Sequence, residues 1–453
     1  MSAAWPEGSR PLSDAQPSNR IAAPADQVSL RRHNLAVVLR SLRDVGSRSR
    51  ARIATDTGLS KATVSSLVAE LAELGLVRDG EVERAGGIGR PGQAVELHGR
   101  VCGLGAEVNV DYLAVLVLDM RGDQVLYSRI PFDVPAAGVR RTLDELANSI
   151  EAAIAVASRQ GHDVAGITVA VPGLVETIPG VLRYGPNIGW REVRIADELA
   201  ARLAKPEISD SARTRAAGGG PSGGGVTIRV DNDANLCALA EYVMGASAGA
   251  SDLVYLTGEI GVGGGVISQG RLLRGADGYG GEVGHMPIAE PLHLCGCGRR
   301  GCWETAVGLA ALLREVADQG DPVTDPAVDL EVRLAEIRRR AELGDGRTLR
   351  GLEAIATSLG LGAAILVNIF NPRVLVLGGY FAVLGDFFLE AMETELDKRV
   401  VATGRGRCRV ELSTLGFTAA VRGGAHVAVE AILADPTSAV RAAIPADVGG
   451  GTP

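Results

Sequence analysis

From His33 onward apolar residues recur at helical spacing, and Leu35, Val38, Leu39 and Leu42 share one face. A shorter helix over Arg50–Thr57 turns Ile53 and Ala54 inward. Gly58-Leu59-Ser60 then makes a tight turn that ends on a helix-capping serine. Val64, Leu67, Val68, Leu71 and Leu74 follow at i, i+3, i+4, i+7 spacing until Gly75 stops the helix. Leu76-Val77 with Glu81-Val82-Glu83, and then Ala94–Leu97, read as two strands around the loop Ala85–Gln93. Three helices followed by a two-stranded wing predict a winged helix-turn-helix over residues 29–99.

The pattern changes near Val101. Gly103–Val108, Leu113–Asp119 and Gln124–Ile130 read as a meander of strands, and Thr142–Ala157 as an amphipathic helix. Ile167–Val171 is a buried strand running into Pro172-Gly173. Thr227–Val230 is another, running into Asp231-Asn232-Asp233-Ala234-Asn235 and a helix through Met244. Leu253–Leu256 and Gly265–Ser268 flank a glycine-rich turn, helices fill much of 305–370, and Val374–Leu377 is a strand ending in Gly378-Gly379. This alternation predicts an α/β body of two lobes over 101–432. Three stretches fall outside it. Residues 1–28 are rich in Pro, Ser and Ala without a period and read as disordered. Residues 205–225 contain Ala-Ala-Gly-Gly-Gly-Pro-Ser-Gly-Gly-Gly and read as a flexible insertion, and 433–453 as a flexible tail.

Composition sharpens this picture at three points. Hydrophobic residues make up 46 % of the 453, enough for large cores, yet no long uninterrupted apolar segment and no signal-peptide core stands out. The expectation is a soluble cytoplasmic protein with no membrane partner. Only three lysines occur, at 61, 205 and 398, against abundant arginine, alanine and glycine, which reflects base composition more than function. The net charge of −8 is unevenly spread, because residues 28–100 hold twelve Lys and Arg against eight Asp and Glu. A basic head on an acidic body points to a polyanionic partner at one end.

The densest chemistry lies at 281–304, where His285 precedes Cys295, Cys297 and Cys302 in Leu-Cys-Gly-Cys-Gly-Arg-Arg-Gly-Cys-Trp-Glu. Three thiols and one imidazole make a Cys3His set suited to tetrahedral zinc, with glycines at 296, 298 and 301 allowing the tight fold. A disulfide is the weaker alternative, since Cys-x-Cys is too short to close easily. Glu282 and Glu304 flank the ligands, so the metal is expected to shape a polar pocket. The other cysteines, 102, 237 and 408, read as buried apolar fillers.

In the head, the outward face of the third helix carries Lys61, Ala62, Thr63, Ser65 and Ser66 after Ser60. These are short side chains that can approach base edges, and Lys61 can reach a phosphate or a guanine. Arg50 opens the second helix, where backbone phosphates lie in such motifs, and Arg90 sits among glycines in a wing loop able to enter a minor groove. A plain helical dimerisation module is the competing reading.

The Cys3His run, the Asp-Asn-Asp-Ala-Asn element and the winged head together resemble a ROK family transcriptional regulator, over roughly 30–432. That family joins sugar-responsive repressors to sugar kinases. The resemblance implies an actin-like, ribonuclease-H-like pair of lobes with a sugar between them, contacted by Asn232, Asp233, Glu282, His285 and Glu304. Asn187, in Pro186-Asn187-Ile188-Gly189-Trp190, matches a loop bordering the sugar. The residue types suit hexose hydroxyls, which both donate and accept. His285 can offer one ring nitrogen to zinc and the other to a hydroxyl. Asp233 also has a plainer reading, as an acid favoured by a helix dipole. Kinases of the family carry an Asp-x-Gly-Gly-Thr turn that cradles ATP phosphates. Here the place reads Glu107-Val108-Asn109-Val110-Asp111-Tyr112, without glycine or threonine. A second turn, Thr257–Gly265, keeps its glycines but carries Glu259.

The expectation is therefore a zinc-containing transcription factor, most readily a repressor. It would bind operator DNA as a homodimer or higher homo-oligomer and respond to a sugar or sugar phosphate, with Asp233 kept as a ligand contact in a catalytically inactive site. Two other readings stand beside it. One is a ROK sugar kinase with a regulatory DNA-binding head, and the other a constitutive DNA-binding protein whose body only oligomerises.

Overall fold

The structure is a computed structural model and describes residues 27–83, 92–204, 226–402 and 408–439. The loop carrying Arg90, the insertion 205–225 and most of both termini lie outside the described residues.

The head consists of α1 (Gln27–Val45), α2 (Arg50–Thr57) and α3 (Lys61–Glu73), with strands β1 (Arg48–Ser49), β2 (Val77–Glu83) and β3 (Gly92–Leu97) forming a three-stranded wing in the order β1-β3-β2. The apolar stripe sets the packing. Leu35, Val38, Leu39 and Leu42 of α1 meet Ile53 of α2 and Val64, Leu67, Val68 and Leu71 of α3 in one buried cluster. The wing differs from the sequence pattern in two ways. The two apolar pieces before residue 84 form one strand with an irregularity between Asp79 and Val82. The two residues of β1 pair with Ala94 and Val95, a strand too short for any periodicity to reveal.

The body is two lobes built on one plan. The first sheet has β4 (Val101–Val108), β5 (Tyr112–Asp119) and β6 (Gln124–Pro131) as an antiparallel meander. It is extended on the far side of β4 by β7 (Asp163–Val171) and β11 (Thr227–Asn232) in parallel. Between these last two lie a small sheet of β8 (Leu174–Glu176), β9 (Val181–Gly185) and β10 (Trp190–Val193), which the sequence pattern did not disclose. Helix α4 (Val134–Arg159) covers one face, with a break at Gly138 (φ 72°), and α5 (Ile195–Leu203) packs beside it. After α6 (Asp233–Met244) the second sheet repeats the order: β12 (Leu253–Gly258), β13 (Val262–Ser268) and β14 (Arg271–Leu272) antiparallel, then β15 (Val374–Gly379) and β16 (Arg409–Leu412) parallel to β12. The repeat is one of topology, three antiparallel strands plus two parallel ones.

Helices α7 (Glu304–Val307), α8 (Leu309–Val316), α9 (Leu330–Glu342), α10 (Gly346–Phe370), α11 (Tyr380–Val383) and α12 (Leu389–Arg399) fill the second lobe. Its core gathers Trp303, Leu312, Leu359, Tyr380, Phe381 and Phe388. The chain then returns through α13 (Ala419–Ala434) to the first lobe and ends its described part in α14 (Pro436–Ala439). Leu433, Ala434 and Pro436–Ala439 are thus helical, and Leu433 is buried, although the pattern assigned them to a flexible tail.

Helix α13 joins the head to the body. It packs on β4, β5, β7 and α6, and its outer side meets α1. Val421, Ala425, Val429, Ile432 and Leu433 share the buried cluster of the head with Leu35 and Val38 and with Leu116 and Leu118 of β5. Ion pairs Arg43–Glu430 and Arg32–Asp435 border the contact. The approach is backbone to backbone. A Cβ on Gly105 of β4 would collide with the Val421 carbonyl, and one on Gly423 with the Leu236 carbonyl of α6. Among the described residues two helices are long and apolar enough to span a bilayer, Gly346–Phe370 and Gly416–Ala434, and each is more than half buried in these cores.

Candidate functional site

Strand ends from both lobes meet at one cleft. β4 delivers Glu107 and Asn109, β7 ends in Pro172-Gly173, and β11 runs directly into α6, so that Asn232 and Asp233 sit at its mouth. The second lobe adds the turn between β12 and β13 with Glu259 and Gly261. It also brings Glu282 and His285, around a 3-10 turn, and Glu304 at the start of α7. Asn187, on the loop after β9, closes one side. All six residues anticipated as sugar contacts therefore line a single cleft.

Their bonding sorts them into frame and free groups. The Asn232 amide serves the frame: its Oδ1 accepts from Asn235 N at 3.0 Å, capping α6, and its Nδ2 donates to Gly173 O at 3.1 Å. Asp233 accepts its own helix amide, Ala234 N, on one oxygen at 2.8 Å. Its neighbour Asp231 is held by Arg274 through two bonds of 2.8 and 2.6 Å. Glu304 accepts from Val262 N at 3.1 Å. A side chain on Gly261 would strike Glu304 and Asn187, so the turn must approach them as bare backbone.

The carboxylates crowd. Burial pushes Asp233 up to about 6 from its ordinary 3.8. Burial and then the charges of Asp233 and Glu304 push Glu282 up to about 7. Deeper in, Asn109 Nδ2 bridges two acids, donating to Glu259 at 2.7 Å and to Glu107 at 3.2 Å, while Tyr112 OH donates to Glu107 at 2.8 Å. Burial raises both acids; the charge of Glu107 raises Glu259 further, and that of Asp233 raises both. The second oxygen of Glu107 is buried with no hydrogen-bond partner among the described residues.

The Cys3His set converges beside this cleft. One donor atom from each of His285, Cys295, Cys297 and Cys302 lies within 4.8 Å of every other. A tetrahedron with metal–sulfur bonds of about 2.3 Å has sulfur–sulfur edges of about 3.8 Å and sulfur–nitrogen edges of about 3.5 Å. Cys297 and Cys302 are 3.6 Å apart, and Cys295 is 3.5 Å from His285 Nδ1, so the spacing fits a tetrahedral ion. All three thiols are free, and the disulfide alternative is not formed. His285 turns its other nitrogen toward Glu282, 3.8 Å away, and Cys295 Sγ lies 3.1 Å from Glu304. The donors thus touch two cleft carboxylates. Trp303 anchors the loop, buried against α10 with Nε1 donating to Ser358 O at 2.9 Å.

On the head, α3 presents a different surface. Ser60 caps it, accepting from Thr63 N at 3.1 Å. Lys61, Ala62, Ser65 and Ser66 are exposed and Thr63 is half-buried. Lys61 has no ion-pair partner among the described residues. Ser65 Oγ bonds back to Lys61 O at 2.9 Å and Ser66 meets Arg31 at 3.5 Å, so both remain at the surface. Arg50 is not free: it pairs with Asp79 of the wing at 3.3 Å, which makes it a brace between α2 and the wing as well as a surface cation.

Comparison with known proteins agrees with this division of the chain. The model of the ROK family matches residues 104–218 and 223–431, and that of the IclR helix-turn-helix domain matches 34–80. The chain belongs to the ROK family. Among its relatives is the xylose repressor of Caldicellulosiruptor bescii, 28 % identical over 418 residues, spanning 90 % of this chain and 98 % of that one. A ROK family transcriptional regulator, a homologue of the E. coli MLC protein, shares the fold with a TM-score of 0.71 at 22 % identity, over 91 % of this chain and 99 % of that one. A ROK family glucokinase from Streptomyces griseus, solved with glucose and AMPPNP, superposes with a TM-score of 0.57 at 26 % identity. It spans 72 % of this chain and 98 % of its own.

Within this ROK body, sequence reasoning missed what Asn109 and Tyr112 do. The stretch 107–112 reads as a lost phosphate turn, but only the fold brings Asn109 against Glu259, 150 positions away. An asparagine between two acids in a hairpin was the available signal. Nothing in the sequence marked α13 as the element that carries the head.

Proposed function

We propose that this ROK protein is a DNA-binding repressor whose operator affinity is set by a sugar or sugar phosphate held in a kinase-derived, catalytically inactive cleft. One observation carries the reading: an exposed helix-turn-helix surface and a polar cleft are linked through one continuous chain of packed helices. α1 packs on α13, α13 packs on α6, and α6 opens with Asp233 in the cleft. Closure of the lobes on a ligand would shift α6 against α13 and so re-aim the head.

The parts follow. The head, 29–99, docks α3 in a major groove, with Ser60, Lys61, Ala62, Thr63, Ser65 and Ser66 facing bases or phosphates and Arg50 and Arg90 on the backbone or minor groove. A two-fold operator would be read by a homodimer or higher oligomer in the cytoplasm. The body, 101–432, takes the sugar on Asp233, Glu282, His285 and Glu304, with Asn187 at the rim and Asn232 positioning. The converging donors support a structural zinc on His285, Cys295, Cys297 and Cys302. Such an ion would fix the loop that carries His285 and orient its free nitrogen into the cleft.

Glu107 and Glu259, bridged by Asn109, put acids in the place of the kinase phosphate turns, which supports a silent site. One observation favours a second reading, a sugar kinase with a regulatory head: Asp233, at about 6, titrates in the range of a general base. A single experiment separates the two. Operator binding by fluorescence anisotropy and ADP release by a coupled assay are run side by side with a panel of sugars. Altered operator affinity without ADP supports the regulator, and sugar-dependent ADP release at an enzyme-like rate overturns it.

A further inference from the structure

We infer that the effector of this cleft is an unphosphorylated sugar, uncharged or amine-bearing, and that the unpartnered oxygen of Glu107 takes a hydroxyl or ammonium donor from it. This rests on the reading of the cleft as a sugar site and narrows it to one ligand class.

The charge balance comes first. Glu107, Asp233, Glu259, Glu282 and Glu304 all line the cleft, and among the described residues lining it there is no lysine or arginine. Arg274, the nearest arginine in sequence to Glu282, is committed to Asp231 by both of its terminal nitrogens. A phosphate needs cations or a nest of free amides. Even with some of these acids protonated, the described wall offers an anion no lysine or arginine, and the His285 imidazole faces Glu282 at 3.8 Å.

The backbone at the usual anion cradles, a helix N-terminus and glycine-rich turns, is in part already engaged. Four amides there are taken by the chain's own side chains. Ala234 N donates to Asp233 at 2.8 Å and Asn235 N to Asn232 at 3.0 Å, which occupies two amides at the start of α6. Val110 N donates to Asn109 at 2.6 Å in the first hairpin, and Val262 N to Glu304 at 3.1 Å in the glycine turn.

The cleft is crowded with acceptors. Glu107 is 1 % exposed, and one of its oxygens accepts from both Asn109 and Tyr112 while the other accepts nothing from the described residues. A buried acceptor without a partner is costly. A sugar hydroxyl or ammonium supplies the missing proton, and a phosphate at physiological pH brings only further acceptors.

The test is isothermal titration of the full-length protein with xylose, glucose, glucosamine and N-acetylglucosamine, each beside its phosphate ester. At least one parent sugar should bind, and its phosphate should bind at least tenfold more weakly. Glu107→Gln, which places a donor where the free oxygen stood, should weaken the parent sugar at least tenfold, with near-UV circular dichroism and ligand-free operator binding reporting its fold. If that variant does not fold, Glu259→Gln serves for the same side of the cleft, and the parent-to-phosphate ratio of the natural protein needs no variant. A phosphate that binds as tightly as its parent overturns the inference while leaving the sugar reading intact, and so does an unchanged affinity in folded Glu107→Gln. Failure of every sugar and every phosphate to bind overturns the sugar reading itself.

Discussion

Helices α3 and α6 start alike, with Ser60 capping one through Thr63 N at 3.1 Å and Asn232 capping the other through Asn235 N at 3.0 Å. Beyond the cap they diverge. α3 buries one stripe, Val64, Leu67, Val68 and Leu71, and leaves short polar side chains and one lysine in solvent. α6 is buried through most of its first two turns, at Ala234, Asn235, Leu236, Cys237 and Ala238, and carries an acid at its first position. The same local geometry thus serves two kinds of recognition. Where the end is exposed and uncrowded, it suits a polyanion; where acids surround it and two of its amides are already bonded, it suits a ring of hydroxyls. Capping residues announce a helix, and only the surroundings decide what it reads.

The strongest way to break the comparison is to make α3 resemble α6. Ser65→Glu with Ser66→Glu places two acids on an exposed face without disturbing the buried stripe. Operator affinity should fall by at least 100-fold, about 3 kcal/mol, and the natural protein should lose affinity steeply with salt. Fluorescence anisotropy at several salt concentrations measures both; an unchanged affinity would remove α3 from the interface. The converse change acts on α6. Asp233→Ala should cost about 2–3 kcal/mol of sugar affinity, because a charged acceptor is lost, while ligand-free operator binding stays as it was. Titration calorimetry beside anisotropy separates those two readouts.

The link between the helices can be broken separately. Gly423→Ala drives a methyl toward the Leu236 carbonyl of α6 and should destabilise the fold by about 1–3 kcal/mol, read from denaturant midpoints. A midpoint equal to that of the natural protein would mean that α13 does not hold α6 closely.

Legibility followed contrast. The head was readable because its helices alternate apolar and polar faces, and Leu35, Ile53 and Leu67 are all buried as their spacing requires. The ligand-spaced cysteines and the Asn-Asp-Ala-Asn element were readable because such residues are rare at such spacings. α13 was not, because Ala-Ala-Val-Arg-Gly-Gly-Ala-His-Val-Ala-Val is apolar nearly all round, and its paired glycines look like a loop. Those glycines are what let it lie against β4 and α6. The Glu107–Asn109–Glu259 bridge was equally hidden, since it forms only when the first and second sheets face each other.

The smallest effect concerns protons. Asp233 ionises near 3.8 in an unfolded chain and at about 6 in the fold, because burial disfavours its charge. Well below pH 3.8 the group is neutral in both states and costs nothing. Between about 4 and 6 the folded form holds a proton that the unfolded form has released, so stability declines as pH rises through that window. Above it the folded state bears the full burden of a crowded, half-buried charge. Discounted for solvent screening, that burden is about 1–2 kcal/mol. Asp233→Asn keeps the bond to Ala234 N and removes the charge. It should therefore gain stability relative to the natural protein at pH 8 but not at pH 4, as denaturant titrations at the two values would reveal. A sugar hydroxyl donating to Asp233 favours the ionised form, so sugar affinity should rise with pH through about 6, and in Asp233→Asn that component of the rise should vanish. An equal stability difference at both pH values would mean that Asp233 ionises in the fold as it does in water, and the acid at the head of α6 would then be no more crowded than the open end of α3.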